Sequence, residues 1–203
     1  MNYRYFFILL LLAVFYSCER PSKKDKAKLY YMEQEFNDYC LFPVYSYWVY
    51  EDSASGALDS VSIYYQNITI NDQLTVVSWK YEQFQQHLFS SYNSPFIYEA
   101  GGADLMGLPE NYCTYTDGIA DLYFGDANVG DTLFLNRNLY YEAYYSTLIL
   151  NSKEYKRVKA FQNKNQIHNR QVRKVYFSRG VGIIRKEMFD GKVWNLKRHF
   201  IAY

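Results

Sequence analysis

The sequence predicts a mainly β fold, an antiparallel curved sheet (a half-barrel or a sandwich) with one short N-terminal helix. Aromatic residues make up 20% of the 203 residues, and 24 of them are tyrosine, a composition that favours strands. Short runs rich in Tyr, Val and Ile alternate with turn residues along most of the chain. No segment repeats at a period of about 20 to 50 residues, which excludes a solenoid or a propeller.

The chain begins with the pattern of a bacterial signal peptide. Residues 1–17 start with a positive charge at Arg4 and continue as an unbroken apolar run, too short to span a bilayer as a permanent helix. The small residue Ser17 directly precedes Cys18, as in a bacterial lipobox. We therefore expect residues 1–17 to be removed and Cys18 to be lipidated, with an ordinary cleaved signal peptide as the alternative.

The rest of the chain divides into a tether and a domain. Residues 18–28 are mostly charged and predict a solvated tether, whereas residues 29–203 are long enough for a single β-rich domain with its own core. Lysines dominate the tether and could contact anionic headgroups. This pattern predicts an outer-membrane lipoprotein and slightly favours a periplasm-facing position over the cell surface.

A helix and a strand are predicted at the start of the domain. Apolar residues recur at spacings of three and four over Leu29–Phe42, which predicts an amphipathic helix that ends before Pro43. Val44–Glu51 is dense in Tyr, Trp and Val and predicts a strand, followed by a turn over Asp52–Ser60.

The middle of the chain predicts short strands and two hairpins. The strands are expected at Val61–Ile70, Leu74–Trp79, Tyr81–Tyr92, Phe96–Glu99, Cys113–Phe124, Thr132–Leu135, Tyr144–Leu150 and Glu154–Phe161. Polar residues at 71–73 and 151–153 predict the two hairpin turns. Tyr81–Tyr92 also fits a helical spacing, and both interpretations stay open at this point.

The C-terminal segment predicts the best-defined hairpin. Its strands are expected at Val175–Ser178, Gly180–Met188 and Val193–Ile201. Asp190 and Gly191 suit a two-residue type I′ turn, because both positions then require positive φ angles. The register that follows places Trp194, Arg185 and Arg198 on the core-facing side of the hairpin. Charged residues there would lie at the rim or line a pocket, so these three form the candidate ligand face.

Charge is distributed unevenly along the chain. Residues 29–152 contain two basic against sixteen acidic side chains, and residues 153–203 contain fourteen basic against three acidic ones. The two segments attract each other, so we expect their charges to interleave within one domain; a basic face for an anionic partner is the alternative. The near-neutral sum argues against a nucleic-acid partner.

Two cysteines remain if Cys18 carries lipid. Cys40 and Cys113 would reach an oxidising compartment after export, so a disulfide between them is one expectation. Two buried free thiols are the other, because the sequence does not show whether the two residues lie close together.

No constellation in the sequence predicts catalysis, a metal or a cofactor. The three histidines are isolated, without a second ligand at metal spacing. The acidic run at 126–131 resembles a calcium loop, but an aspartate stands where that loop needs glycine. Acidic pairs suitable for a hydrolase arise by chance in so acidic a segment. We therefore expect a protein that is not an enzyme.

Three segments together resemble a known family. Phe42–Val61 (FPVYSYWVYEDSASGALDSV), Thr147–Phe161 (TLILNSKEYKRVKAF) and Val175–Ile201 (VYFSRGVGIIRKEMFDGKVWNLKRHFI) are similar to segments of uncharacterised lipoproteins from Bacteroidetes-type bacteria. The resemblance implies an exported, lipid-anchored, β-rich domain. It implies no activity and no catalytic residues.

These observations predict a non-catalytic binding module of the cell envelope. An aromatic face that includes Trp194, Arg185 and Arg198 would hold a glycan, a lipid or a peptide. The alternative is an accessory subunit that binds another envelope protein through strand edges or its basic segment. In both cases the membrane is reached through the lipid anchor.

Overall fold

The computed structural model describes residues 28–74, 78–92, 96–101, 112–116, 121–125, 128–132, 139–164, 166 and 172–203, with strands 96–101, 112–116 and 121–125 described by their backbone alone. Its elements are β1 (Lys28–Tyr30), α1 (Gln34–Cys40), β2 (Tyr47–Asp52), β3 (Leu58–Leu74), β4 (Ser78–Ser90), β5 (Phe96–Gly101), β6 (Tyr112–Thr116), β7 (Asp121–Gly125), β8 (Leu139–Leu150), β9 (Lys153–Asn163), β10 (Val172–Ser178), β11 (Gly182–Met188) and β12 (Val193–Phe200). The predicted mainly β fold with one short helix near its start is confirmed.

The strands form one sheet whose order places the end of the chain beside its beginning. The order is β7-β6-β5-β4-β3-β2-β12-β11-β10-β9-β8, and β1 adds to β4 in parallel. The pairs along this path are antiparallel, as predicted. The last strand, β12, pairs with β2 at the centre. The two ends of the order, β7 and β8, do not pair with each other in the described residues, so the sheet is open.

This order brings the acidic and basic segments together. Among the described residues, four ion pairs join a basic residue after position 152 to an acidic residue before it: Arg179–Asp38, Lys174–Glu142, Lys186–Asp59 and Lys197–Glu51. The predicted interleaving of charge is therefore present, because β12 inserts between β2 and β11.

The helix is shorter than predicted. It covers seven residues, and its buried side chains Phe36, Tyr39 and Cys40 pack into the core. Leu29 lies instead in β1, which pairs with β4. This strand pairing is a tertiary contact that the spacing of apolar residues does not reveal. The Tyr39 hydroxyl donates a hydrogen bond to the carbonyl of Arg157 at 2.8 Å, which fixes α1 against β9.

Two strand boundaries in the middle of the chain differ from the prediction. Residues 71–73, expected as a turn, continue β3 and pair with β4, so the β3–β4 hairpin is longer than predicted. Polar residues can continue the strand here because the preceding residues, Asn67–Ile70, are exposed. This part of β3 does not pack against the core, so it does not require apolar side chains. Cys113–Phe124, expected as one strand, is two antiparallel strands, β6 and β7.

The loops of the β8–β9 and β11–β12 hairpins differ in length from the predictions, which gave the first three residues and the second two. The β8–β9 loop has two residues, Asn151 and Ser152, with φ angles of 48° and 62°, as a type I′ turn requires. The β11–β12 loop has three residues, since the amide of Met188 donates to the carbonyl of Lys192 and Gly191 takes a φ of 88°. This combination is the three-residue loop with a glycine bulge.

The longer loop shifts the C-terminal register by one residue. Lys186 pairs with Trp194, and Arg185 pairs with Asn195, whereas the predicted two-residue turn would pair Arg185 with Leu196. A shift of one residue moves every side chain of one strand to the other side of the sheet. Lys186 therefore joins the core side, and Arg185 lies on the opposite, outer side.

Gly182, at the start of β11, allows the rings of Phe42 and Trp48 to pack directly against the backbone next to the β10–β11 turn. Its φ is +85°, and a Cβ at this position would lie 3.0 Å from Cε2 of Phe42. The Trp48 indole Nε1 donates to the carbonyl of Val181 at 2.6 Å, one residue before. Only glycine combines this backbone angle with such a close ring.

Candidate binding surfaces

The structure does not bring the predicted ligand face together. Trp194 is 3% exposed and packs in the core. Arg185 lies on the outer side, where its Nε donates to Oε1 of Glu187 at 3.0 Å, and Arg198 is exposed after a bulge in β12. The prediction of one shared face for these three residues is wrong, because it depended on the register of a two-residue turn.

A buried ionic cluster lies on the core side instead. Lys186 Nζ is 3.6 Å from Oδ2 of Asp59, and the two side chains are 6% and 1% exposed. The Ser90 hydroxyl donates to Oδ1 of Asp59 at 2.6 Å, and Lys186 Nζ lies 4.4 Å from the ring centroid of Tyr50. Burial, followed by the charge of Asp59, raises the pKa of Tyr50 well above its ordinary value.

This cluster holds strands together and does not reach solvent. It joins β2, β3, β4 and β11, and the Tyr50 hydroxyl donates to the carbonyl of Ile183 at 3.0 Å. Sequence reasoning missed it because the predicted register puts Arg185 on the core side, which leaves its neighbour Lys186 on the other side. The sequence does contain a signal for it. Gly182, Ile184 and Lys186 alternate along β11 and so share one side of the sheet, and the first two are small or apolar, as expected for the core side.

Aromatic side chains are exposed on the outer side of β12, β2, β3 and β4. We call this the outer aromatic surface, and its members, between 38% and 53% exposed, are Tyr47, Tyr64, Tyr65, Phe89 and Phe200. The rings of Tyr47 and Phe200 stack with their centroids 5.8 Å apart. Tyr47 pairs with Ser62, which pairs with Phe89, so one row of cross-strand neighbours spans four strands.

A bulge in β3 extends this surface. The register shifts between Ile63 and Tyr65, so two consecutive tyrosines both reach His87 on β4. The ring centroids of Tyr65 and Tyr64 lie 4.9 Å and 5.9 Å from that of His87. The surface therefore combines apolar ring faces with hydroxyl and imidazole groups that can hydrogen-bond to a partner.

A polar cleft of about 260 Å³ lies further along the outer side of β2. It is lined by Glu51, Asp52, Ser53, Gly56, Asn151 and Asn195. Three elements build it: the end of β2 with its following turn, the first half of β12, and the type I′ turn between β8 and β9. The turn contributes Asn151, and the Lys153 Nζ beside it donates to the carbonyl of Lys197.

The carboxylates of the cleft are held in different ways. Both oxygens of Asp52 accept hydrogen bonds, Oδ2 from the Ser55 hydroxyl at 2.5 Å and Oδ1 from the amide of Val193. The hydrogen bond from Ser55 lowers the pKa of Asp52, although burial acts in the opposite direction. Oε1 of Glu51 accepts from Lys197 Nζ at 2.9 Å.

Asn195 is the most unusual residue of the cleft. It is 7% exposed, its Nδ2 donates to Oγ of Ser53 at 2.7 Å, and its Oδ1 has no hydrogen-bond partner within the protein. The Ser53 hydroxyl in turn donates to the carbonyl of Val193 at 3.1 Å.

The cysteine predictions are tested only in part. Cys40 is buried, and its thiol is free in the structure. The side chain of Cys113 lies outside the described residues, and its pairing with Cys40 stays a prediction. The signal peptide and Cys18 also lie outside the described residues.

Comparison with protein-family models, with curated proteins and with solved structures finds no match. The resemblance to Bacteroidetes-type lipoproteins therefore stays a prediction. Within the described part of the chain, no helix is long and apolar enough to cross a membrane. The same residues contain no group of three His, Cys, Asp or Glu side chains arranged to hold a metal ion.

Proposed function

We propose that the protein is a non-catalytic binding module of the cell envelope, anchored by lipid on Cys18, whose outer aromatic surface contacts another envelope protein. The observation that carries the proposal is the contiguous set of exposed rings on four neighbouring strands. Contiguous exposed apolar patches mark interaction sites on soluble domains.

The shape and composition of the surface support a protein partner. Sites for small molecules are concave, whereas this surface lies on the outer side of a sheet. Tyr and Phe are enriched in protein interfaces, and tyrosine is prominent among the residues that dominate binding energy. The aromatic ligand face expected around Trp194 is not formed, since that indole is buried.

A glycan is the second candidate. The stacked rings of Tyr47 and Phe200 offer flat faces, and Ser62 and His87 place polar groups beside the rings. A sugar ring could stack there and hydrogen-bond at its edge.

Site-specific photocrosslinking in the native envelope tests the proposal and separates the two candidates. A photoreactive phenylalanine in place of Phe89 or Tyr47 should give an adduct with one and the same protein. The control is Tyr31, which is 65% exposed, more than Phe89 or Tyr47, but lies outside the surface, and it should give no such adduct. A glycan adduct at the two surface positions would favour the second candidate. Equal adducts at all three positions, or none, would contradict the proposal.

The anchor is tested separately. Cys18→Ser removes the thiol that would carry lipid, so the variant should leave the membrane fraction. Unchanged retention of the variant in washed membranes would refute lipidation at Cys18.

A further inference from the structure

The second half of β3 has an edge that no strand covers. β2 pairs with β3 only over residues 58–62. Over residues 66–71, β3 pairs with β4 on one side, and no strand among the described residues pairs with its other side. Proteins usually protect such an edge with charged residues, proline or a bulge, because it can pair with a strand of another chain. Residues 66–71 contain neither a charged residue nor a proline.

Two isoleucines at this edge are only half covered. Ile68 lies directly opposite Phe84, which is fully buried, so Ile68 and Ile70 belong to the core side of the sheet. They are nevertheless 49% and 48% exposed. The core side therefore reaches this edge without a cover, and a strand added there would shield both isoleucines from water.

The sequence of the edge is complementary to itself. Residues 67–71 are Asn-Ile-Thr-Ile-Asn, which is the same in both directions and is centred on Thr69. When two copies of this segment lie antiparallel, Ile68 can stand opposite Ile70, Asn67 opposite Asn71, and Thr69 opposite its own copy. Apolar β-branched pairs and Thr–Thr pairs are favourable across strands, and no like charges face each other in this segment.

The direction of the backbone groups allows this register. Both backbone groups of Ile63 bond to the β2 side, so Ile63 and its partner Leu88 are a non-hydrogen-bonded pair of the β3–β4 ladder. The bulge after Ile63 lies in β3, so β4 keeps its alternation, and Phe84 has the same status as Leu88. Its partner Ile68, and Ile70 two residues further along, therefore direct their N–H and C=O groups towards the free edge.

We propose that two copies of this chain pair edge to edge through β3, antiparallel and about a two-fold axis at Thr69. Ile68 of each copy exchanges two backbone hydrogen bonds with Ile70 of the other, and the sheets of the two copies become continuous. The isoleucines of both copies then cover one another on the core side. Such an interface is closed, because the same segment serves both copies. The inference goes beyond the proposed function and uses no residue of the outer aromatic surface.

Disulfide trapping of the purified full chain tests the register. Thr69→Cys places the two thiols in a non-hydrogen-bonded pair, with Cα atoms about 4.5 Å apart, which is within the range for a disulfide. Mild oxidation should link the peptide that carries position 69 to its own copy, as identified by mass spectrometry. Asn67→Cys is the matched control, because this exposed residue lies roughly 13 Å from its own copy and should not be linked. Equal yields at the two positions, or none at position 69, would overturn the inference.

Sedimentation of the same protein tests the dimer itself. The unaltered chain should be a dimer at micromolar concentration. Thr69→Lys places two ammonium groups opposite each other and should raise the Kd of the dimer by roughly fivefold or more, whereas Asn67→Lys should change it little. Mixing Thr69→Lys with Thr69→Glu should restore the dimer as a mixed pair, which a misfolded variant would not do. A monomeric unaltered chain, a dimer insensitive to Thr69→Lys, or no recovery in the mixture would contradict the assignment.

Discussion

The buried pair of Lys186 and Asp59 makes the strongest stability prediction. Lys186→Met keeps most of the volume of the side chain but removes its charge, which leaves the Asp59 carboxylate, 1% exposed, without a cation. Breaking a buried ion pair from one side costs about 3–5 kcal/mol. Asp59 keeps the hydrogen bonds from the Ser90 hydroxyl and the amide of Tyr92. The loss of the ion pair should therefore cost about 3 kcal/mol, the lower end of this range.

A second contribution comes from the ring of Tyr50. The Lys186 ammonium lies 4.4 Å from its centroid, and losing a desolvated cation–π contact costs about 1 kcal/mol or more. Together the two effects predict a loss of roughly 4 kcal/mol in the free energy of unfolding. In a domain of this size that corresponds to a fall in Tm of roughly 8–16 °C.

Urea unfolding followed by circular dichroism measures this loss. The matched control is Lys156→Met, because Lys156 is 77% exposed and its ion pair with Glu154 contributes at most about 1 kcal/mol. The double variant Lys186→Met/Asp59→Asn should recover most of the stability, since no buried charge is left unpaired. An unchanged unfolding midpoint for Lys186→Met, or a double variant less stable than the single one, would refute the reasoning.

Three further predictions concern the turn of β11, the cleft and the core thiol. Gly182→Ala should lower the free energy of unfolding by about 1–3 kcal/mol more than Gly191→Ala. Both glycines have a positive φ, but only a Cβ at position 182 would lie 3.0 Å from the ring of Phe42. Equal losses for the two variants in urea unfolding would contradict this. The lowered pKa of Asp52 adds stability that is fully present above the unfolded value of about 3.9 and is lost as the pH falls through the folded pKa. Ser55→Ala should therefore lose stability at pH 7 and show a weaker decline on acidification, and parallel pH profiles of the two proteins would count against the assignment. Cys40, being buried and free, should react with a thiol reagent only after unfolding; no reaction in urea without reductant would instead indicate a disulfide.

The sequence was sufficient for the fold class and for most strands, because those depend on local composition. Tyr- and Val-rich runs such as Val44–Glu51 are strands, and the turn signals between Tyr144 and Phe161 mark a hairpin. The spacing of apolar residues in Tyr81–Tyr92 fits either a strand or a helix. This segment lies mostly in β4 and is a strand because β3 and β5 pair with it on both sides.

The candidate sites could not be predicted from the sequence in the same way. The predicted face of Trp194, Arg185 and Arg198 failed by one residue of register, and only the backbone hydrogen bonds around Gly191 determine that register. The outer aromatic surface and the polar cleft both combine residues far apart in the chain. Tyr47 meets Phe200, and Glu51 meets Asn195, because β12 pairs with β2.

The sequence by itself determined a mainly β domain with opposite charges in its two segments, because propensity and composition are properties of residues taken in order. The tertiary structure decided which of those charges are buried, which aromatic rings are exposed and which polar side chains line the cleft. Those properties follow from strand order and register, which place β12 between β2 and β11. A one-residue difference in a loop exchanges the two sides of a strand, so composition cannot specify which side chains form a site.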